Sequence, residues 1–122
     1  MPLNSNISTI AQGKRGEAIV ADWLEQRGFT IQAMNYRQRF GEIDVIARKD
    51  ELFVFVEVKF RMRESLMADM VPYAKQKKII KTARMYIAQH RISEVVLRFD
   101  IAVVQDNTVS YLSNAFTDTA TF

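Results

Sequence analysis

Cysteine is absent from the 122-residue chain, and histidine occurs once, at His90. The first absence excludes disulfides and thiolate metal sites, and the second excludes a histidine-cluster site. A metal bound by this chain must therefore be held by oxygen ligands, which favours magnesium, manganese or calcium. No stretch approaches the roughly 18 consecutive apolar residues that a membrane span needs. Met1 to Gln12 also lacks the basic start and continuous apolar run of a secretion signal. A cytoplasmic protein without membrane association is the expectation.

What remains is ordinary for a globular domain, with 48% hydrophobic and 25% charged residues. The expected organisation is a frayed polar segment over residues 1–8 followed by one domain over 9–122. Charge is unevenly spread. Residues 59–84 carry eight Lys/Arg against two acids, a local +6, which leaves −3 for the rest of a chain whose net charge is +3. A basic segment beside an acidic one suits a polyanion partner with a metal between them. The alternative is a solvated basic helix face.

Apolar spacing predicts a helix from residue 9 to about Arg27, halted by Gly28, with Ile10, Val20, Ala21 and Leu24 facing inward. Glu17 lies seven residues before Leu24 and so belongs to that inward face. Residues 29–36 form a strand. Residues 42–48 alternate, with Ile43, Val45 and Ala47 expected on one face and Glu42, Asp44 and Ile46 on the other. After a turn at Lys49–Glu51, residues 52–61 are apolar on both faces, as a central strand would be. Residues 63–71 read as a loop. A second helix runs from Pro72 to about His90 with Ile79, Ile80, Ala83, Tyr86 and Ile87 as its core stripe. Strands over 94–105 and 108–113 then meet across Asp106-Asn107. The order predicts an α/β fold with a mixed sheet covered by helices.

The central hairpin places charge where a core sheet would carry apolar residues. With a two-residue loop at Asp50-Glu51, Lys49 opposes Leu52 and Asp44 opposes Glu57; a slip of two would set Asp44 against Phe55 instead. Directly opposed residues have β-carbons about 4.5–5.5 Å apart. Two carboxylates that close resist joint ionisation, and a divalent cation removes the penalty. Asp44 and Glu57 are thus candidate ligands for Mg²⁺ or Mn²⁺, with Glu17 as a further ligand. Lys59, one strand repeat beyond Glu57, is placed to orient a water or stabilise a phosphate oxygen. The alternative is a buried ion-pair network. Glu42, beside Gly41, reads as either a site residue or an exposed one. Arg98 and Asp100 read as a structural pair, and Trp23 as packing in preference to base stacking.

These residues also carry a family resemblance. "GEID" at 41–44 followed by "FVEVKFR" at 55–61 resembles the bipartite signature of PD-(D/E)XK nucleases. Together with "GKRGEAIVADWLEQRGF" at 13–29, "NYR" at 35–37, Lys75, "RFD" at 98–100 and "NAF" at 114–116, the chain resembles the bacterial YraN-type family, which is similar to archaeal Holliday-junction resolvases. The resemblance implies a restriction-endonuclease-like αβββαβ core plus a C-terminal strand. It implies that Glu17, Asp44, Glu57 and Lys59 occupy the catalytic positions of a metal-dependent endonuclease acting on DNA, branched or junction DNA included. Arg61, Lys75, Lys77 and Lys78 would then contact phosphates. Phe60 departs from the family's small polar residue, and by alternation it faces away from the site. Symmetric cutting would require a homodimer. The competing expectation is a non-catalytic nucleic-acid-binding or interaction module on the same fold.

Overall fold

The computed structural model describes residues 9–60 and 71–118. In order these form α1 (Thr9–Gln26), β1 (Thr30–Gln38), β2 (Gly41–Lys49), β3 (Leu52–Phe60), α2 (Tyr73–Gln89), β4 (Val96–Gln105) and β5 (Thr108–Phe116). The segment expected to fray, residues 1–8, and all but Val71 of the expected loop lie outside the described residues, as does Arg61.

The strands make one sheet in sequence order, β1-β2-β3-β4-β5, with β3 at the centre. Hairpins explain three of the four neighbours: β1/β2, β2/β3 and β4/β5 are antiparallel, while β3 and β4 are parallel. A parallel neighbour needs a crossover long enough to return the chain to the same end of the sheet, and α2 lies in that connection. The mixed α/β fold with two helices is the one expected, and it is compatible with a restriction-endonuclease-like architecture.

The sheet is apolar on both faces because a helix covers each. Val20 and Leu24 of α1 pack on Val45, Ala47, Val54, Val56, Ala102 and Val104. Ile79, Ile80, Ala83 and Tyr86 of α2 pack on Ile43, Ile46, Phe53, Phe55, Phe99, Ile101 and Val103. The α2 stripe also includes Thr82, fully buried, which an apolar count passes over; its hydroxyl is satisfied by donating to the Lys78 carbonyl at 2.7 Å.

The turns follow their residues. Gly28, with φ of 92°, ends α1: its N–H donates to the Glu25 carbonyl and that of Phe29 to the Leu24 carbonyl, which closes the orphan carbonyls of the last turn. Asp106 and Asn107 have φ of 53° and 63°, the paired left-handed conformations of a two-residue hairpin whose twist matches its strands.

One expectation is corrected. Ile43 does not share a face with Val45 and Ala47; it joins Ile46 on the α2 side, while Val45 and Ala47 face α1. Strict alternation therefore fails at Asp44. The cause lies in the neighbouring strand, where Asn35 adopts φ of 51° between the paired levels Met34↔Val45 and Tyr36↔Ile43. A left-handed residue turns the peptide that follows it, and Asn tolerates that conformation better than most residues. Ala33 and Tyr36, three apart, accordingly both reach the α2-side core. Asn35 and Asp44 thus mark a common kink across two strands.

Candidate active site

The kink opens onto the end of the β2/β3 ladder. The register Lys49↔Leu52 to Val45↔Val56 is the first of the two predicted, with Asp44 the next residue on one strand and Glu57 on the other. The ladder stops at Val45↔Val56, and the Asp44 carboxylate takes up the freed backbone: Val58 N–H donates to its Oδ2 at 2.8 Å. The first acid thus sits where the two strands part.

Asp44 is uncomfortable as an anion. Its carboxyl is pushed up from 3.8 to about 7, first by burial and next by the charge of Glu57. The Val58 N–H works in the opposite direction, and the charges of Glu17 and Glu42 add to the rise. Glu57 is buried, and two ammonium groups reach the same oxygen of it: Lys75 Nζ lies 2.7 Å from Oε2 and Lys59 Nζ 3.5 Å from it. Lys75 is held further toward its charged form. Burial opposes this, and the hydrogen bond and charge of Glu57, with Asp44 and Glu42 behind them, outweigh it.

Three elements deliver these groups. β3 brings Glu57 and Lys59, two apart and on one strand face. The first turn of α2 brings Lys75. Its approach depends on Gly41, where a β-carbon would lie 2.5 Å from Thr82 Oγ1 and 3.2 Å from the Lys78 carbonyl oxygen. Only a glycine lets the helix backbone come that close to β2, one turn beyond Lys75. α1 brings Glu17, whose Oε1 accepts a 2.7 Å hydrogen bond from Asn35 Nδ2. Gly16, beside it, is filled from the opposite strand end by the Phe60 ring, 2.7 Å from where its β-carbon would be. Phe60 packs on α1, the face away from Lys75, as alternation predicts.

The structure thus brings Asp44, Glu57, Lys59 and Lys75 together, with Glu17 and Glu42 close enough to act on Asp44 electrostatically. Glu42 is half-exposed and pairs with Arg37 at 3.4 Å. Among the described residues, no group of three or more His, Cys, Asp or Glu side chains is gathered tightly enough to form a metal cluster. Lys77 and Lys78 are exposed, Lys77 lying over the Tyr73 ring at 5.4 Å. Trp23 is packing, as expected: it stacks on Tyr111 at 4.5 Å with the Arg27 guanidinium on its other side.

Two features were not assigned from the sequence. Lys75, expected at a phosphate, also donates to Glu57 at 2.7 Å, a contact its spacing does not indicate. Asn35, within the NYR stretch, is given no role by that resemblance, although an asparagine inside a strand pattern is itself a signal for a left-handed residue. Arg98 and Asp100 do form a pair, enlarged by groups no pairwise reading includes. Asp100 is fully buried and accepts from Arg98 Nε and Nη2, from the Tyr111 hydroxyl and from the Asn114 N–H.

The sequence has many relatives. It is 35% identical to a UPF0102 protein of Vibrio parahaemolyticus over 87% of this chain and 92% of the relative. It is 39% identical to one of Aeromonas hydrophila over 89% and 87%, and 37% identical to one of Sulfurihydrogenibium sp. over 86% and 93%. Residues 16–104, which hold Glu17, Asp44, Glu57, Lys59 and Lys75, match the uncharacterised protein family UPF0102. The chain belongs to the UPF0102 family.

Proposed function

We propose that the protein is a metal-dependent endonuclease that hydrolyses DNA phosphodiesters, with branched or junction DNA as the substrate class its sequence resemblance favours. One observation carries the reading: Asp44 and Glu57 lie just past the end of the β2/β3 ladder, near enough that burial and the charge of Glu57 push the Asp44 carboxyl up to about 7. Stability would be better served there by apolar residues. The donors are all oxygen, and a cation between the two would offset the repulsion that resists ionisation of Asp44, so the pair fits a hard divalent cation such as Mg²⁺ or Mn²⁺.

Asp44 and Glu57 would hold that ion, with Glu17 completing the set once it exchanges its bond from Asn35. When bound, the ion supplies Lewis-acid polarisation of the phosphate and lowers the pKa of a water. The chain's own groups do the rest. Lys59 offers an ammonium beside Glu57 for the attacking water or for charge developing on a phosphate oxygen. The exposed Lys77 and Lys78 gather backbone phosphates, and Arg61 lies between them and the site in sequence. No base-reading motif is evident, so recognition rests on shape and backbone. One site cuts one strand, so a symmetric double cut calls for a homodimer. A cytoplasmic location goes with a DNA substrate; among the described residues no helix is long and apolar enough to cross a membrane.

The test is cleavage of plasmid and branched DNA with Mg²⁺ or Mn²⁺ by wild type, Glu57→Ala and Lys59→Ala. Wild type cuts, and each variant loses activity by about a hundredfold or more. Equal traces of nicking from all three would defeat the reading. A second reading, a nucleic-acid-binding module without chemistry, is favoured by the neutralisation of Glu57 by two lysines. DNA binding that survives both substitutions without any cleavage selects it.

A further inference from the structure

Glu57 has more counter-charge than it needs. Two ammonium groups reach one oxygen, and they differ in how they are held. Lys59 sits on the same strand, fixed relative to Glu57 by the strand repeat, and its side chain is 28% exposed. Lys75 comes from the first turn of another element, makes the shorter contact, and has 46% of its side chain in solvent. Its backbone is steadied by the close seat of α2 on Gly41, so a swing of Lys75 is a movement of its four-carbon stem and not of the helix. Lys75 also lies in the field of Asp44 and Glu42 as well as Glu57. The acids that hold its ammonium are those that would attract a divalent ion.

We propose that Lys75 is a latch released by the nucleic-acid backbone: it occupies the counter-ion place on Glu57 in the free protein and transfers to a phosphate when DNA docks, so that cation and DNA bind with positive linkage. This rests on the reading of the site as a divalent-ion site. A cation arriving alone must displace Lys75 into water against the attraction of its acids. With a phosphate at hand, the ammonium exchanges one anion for another, and like-charge repulsion at Glu57 is relieved. Lys78, exposed and three residues from Lys75 on neighbouring helix surface, brings phosphate to the place where Lys75 can take it. Lys is suited to the exchange because its charge is compact and its stem flexible. Linkage is reciprocal, so the cation must strengthen DNA binding by the same factor.

The experiment is titration calorimetry of the full chain with Mn²⁺, alone and with a short DNA duplex, on wild type, Lys75→Gln and Lys75→Arg. Thermal unfolding shows that each variant is folded. Wild type binds Mn²⁺ weakly alone and about tenfold more tightly with duplex. Lys75→Gln binds Mn²⁺ alone about tenfold more tightly than wild type, and duplex adds little; this separates the latch from direct ligation of the metal by DNA, which the substitution would leave in place. Lys75→Arg, which keeps a cation on Glu57, retains the duplex dependence. Equal Mn²⁺ affinity in wild type and Lys75→Gln, with the same increment from duplex, overturns the latch and leaves the metal site standing. No Mn²⁺ uptake by any of the three, with or without duplex, overturns both.

Discussion

Two aspartates in this protein sit at matching places and live under opposite conditions. Asp44 lies where β2 and β3 part, and Asp100 where the β4/β5 register shifts between Phe99 and Ile101. Each is neighboured by a left-handed asparagine in an outer strand, Asn35 with φ of 51° and Asn114 with φ of 56°. Asp100 is surrounded by donors: a two-nitrogen contact from Arg98, the Tyr111 hydroxyl and the Asn114 N–H. Asp44 has one donor among the described residues, Val58 N–H, and faces like charge from Glu57, Glu17 and Glu42. A buried acid with its lone pairs filled is a structural joint. One with a single donor among the described residues, beside another acid, has the unmet charge that the proposed divalent ion would answer. The same residue type in the same topological setting thus has its role set by its hydrogen-bond partners.

The comparison breaks first at Asp100. Asp100→Asn keeps shape but leaves Arg98 without its anion and turns an acceptor into a donor facing Tyr111 and Asn114. The expected cost is about 3 kcal/mol, the low end for a broken buried pair because Arg98 is partly exposed. Urea unfolding measures it, and a loss below about 1 kcal/mol would mean that the network is not holding β4 to β5.

Asp44→Asn is expected to go the other way. Its folded-state value of about 7 lies above the unfolded value of 3.8, so between those limits the native protein binds more protons than the unfolded chain. Stability from this group is therefore fully present below about pH 4 and is lost as pH rises through about 7. In metal-free buffer the asparagine variant should match wild type near pH 4 and exceed it by about 1–3 kcal/mol above pH 8. Mg²⁺ should raise wild-type stability at pH 8 and leave the variant unmoved, since an ion that binds only the folded state stabilises it by mass action. Unfolding curves at the two pH values, with and without Mg²⁺, decide it. A variant less stable than wild type at pH 8 would place Asp44 in the same class as Asp100.

Much of this was readable from residues alone, and what was not has a common physical cause. The element order, the two helices, the central position of β3 and the β2/β3 register from Lys49↔Leu52 to Val45↔Val56 follow from periodicity and from a two-residue turn, which are local signals. The Arg98–Asp100 pair was visible because it spans two positions on one strand face. Tyr111 and Asn114 joined it only through the β4/β5 register, and Lys75 reached Glu57 only through the docking of α2 on Gly41. Lys75 lies beyond any turn or hairpin of Glu57, and Tyr111 and Asn114, although on the hairpin partner of Asp100's strand, meet it at a register shift that simple pairing does not foresee. Ile43 departs from the alternating face beside a left-handed residue in the neighbouring strand, a non-local influence on its own strand's pattern.

Tyr111→Phe sharpens the comparison from the donor side. It removes one of Asp100's hydrogen bonds and preserves the ring that stacks on Trp23. The phenol is held well above its usual range, first by burial and then by the charge of Asp100, so it stays a donor at any working pH. The loss should be about 1–2 kcal/mol in urea unfolding, less than for Asp100→Asn because the carboxylate keeps Arg98 and the Asn114 N–H. A loss equal to that of Asp100→Asn would show that Tyr111 fixes the network and the other donors merely follow.

The smallest effect belongs to Asn35, and it separates two jobs held by one residue. Its backbone supplies the left-handed step that turns the strand, and its side chain supplies the hydrogen bond that holds Glu17 away from a free rotamer. Asn35→Gly keeps the first and loses the second; Asn35→Ala loses both. A left-handed alanine costs about 1 kcal/mol relative to a residue that tolerates the conformation, so Asn35→Ala should destabilise by about that much and Asn35→Gly by a few tenths. Both variants free Glu17 equally. If the kink matters to the site only through Glu17, the two should change Mn²⁺ affinity alike despite their different stabilities. If the kink itself sets where Asp44 leaves the sheet, Asn35→Ala alone should weaken Mn²⁺ binding, while Asn35→Gly stays at the wild-type value. Unfolding and calorimetry on the same pair of proteins distinguish these outcomes, because backbone conformation and side-chain bonding are varied one at a time at a single position.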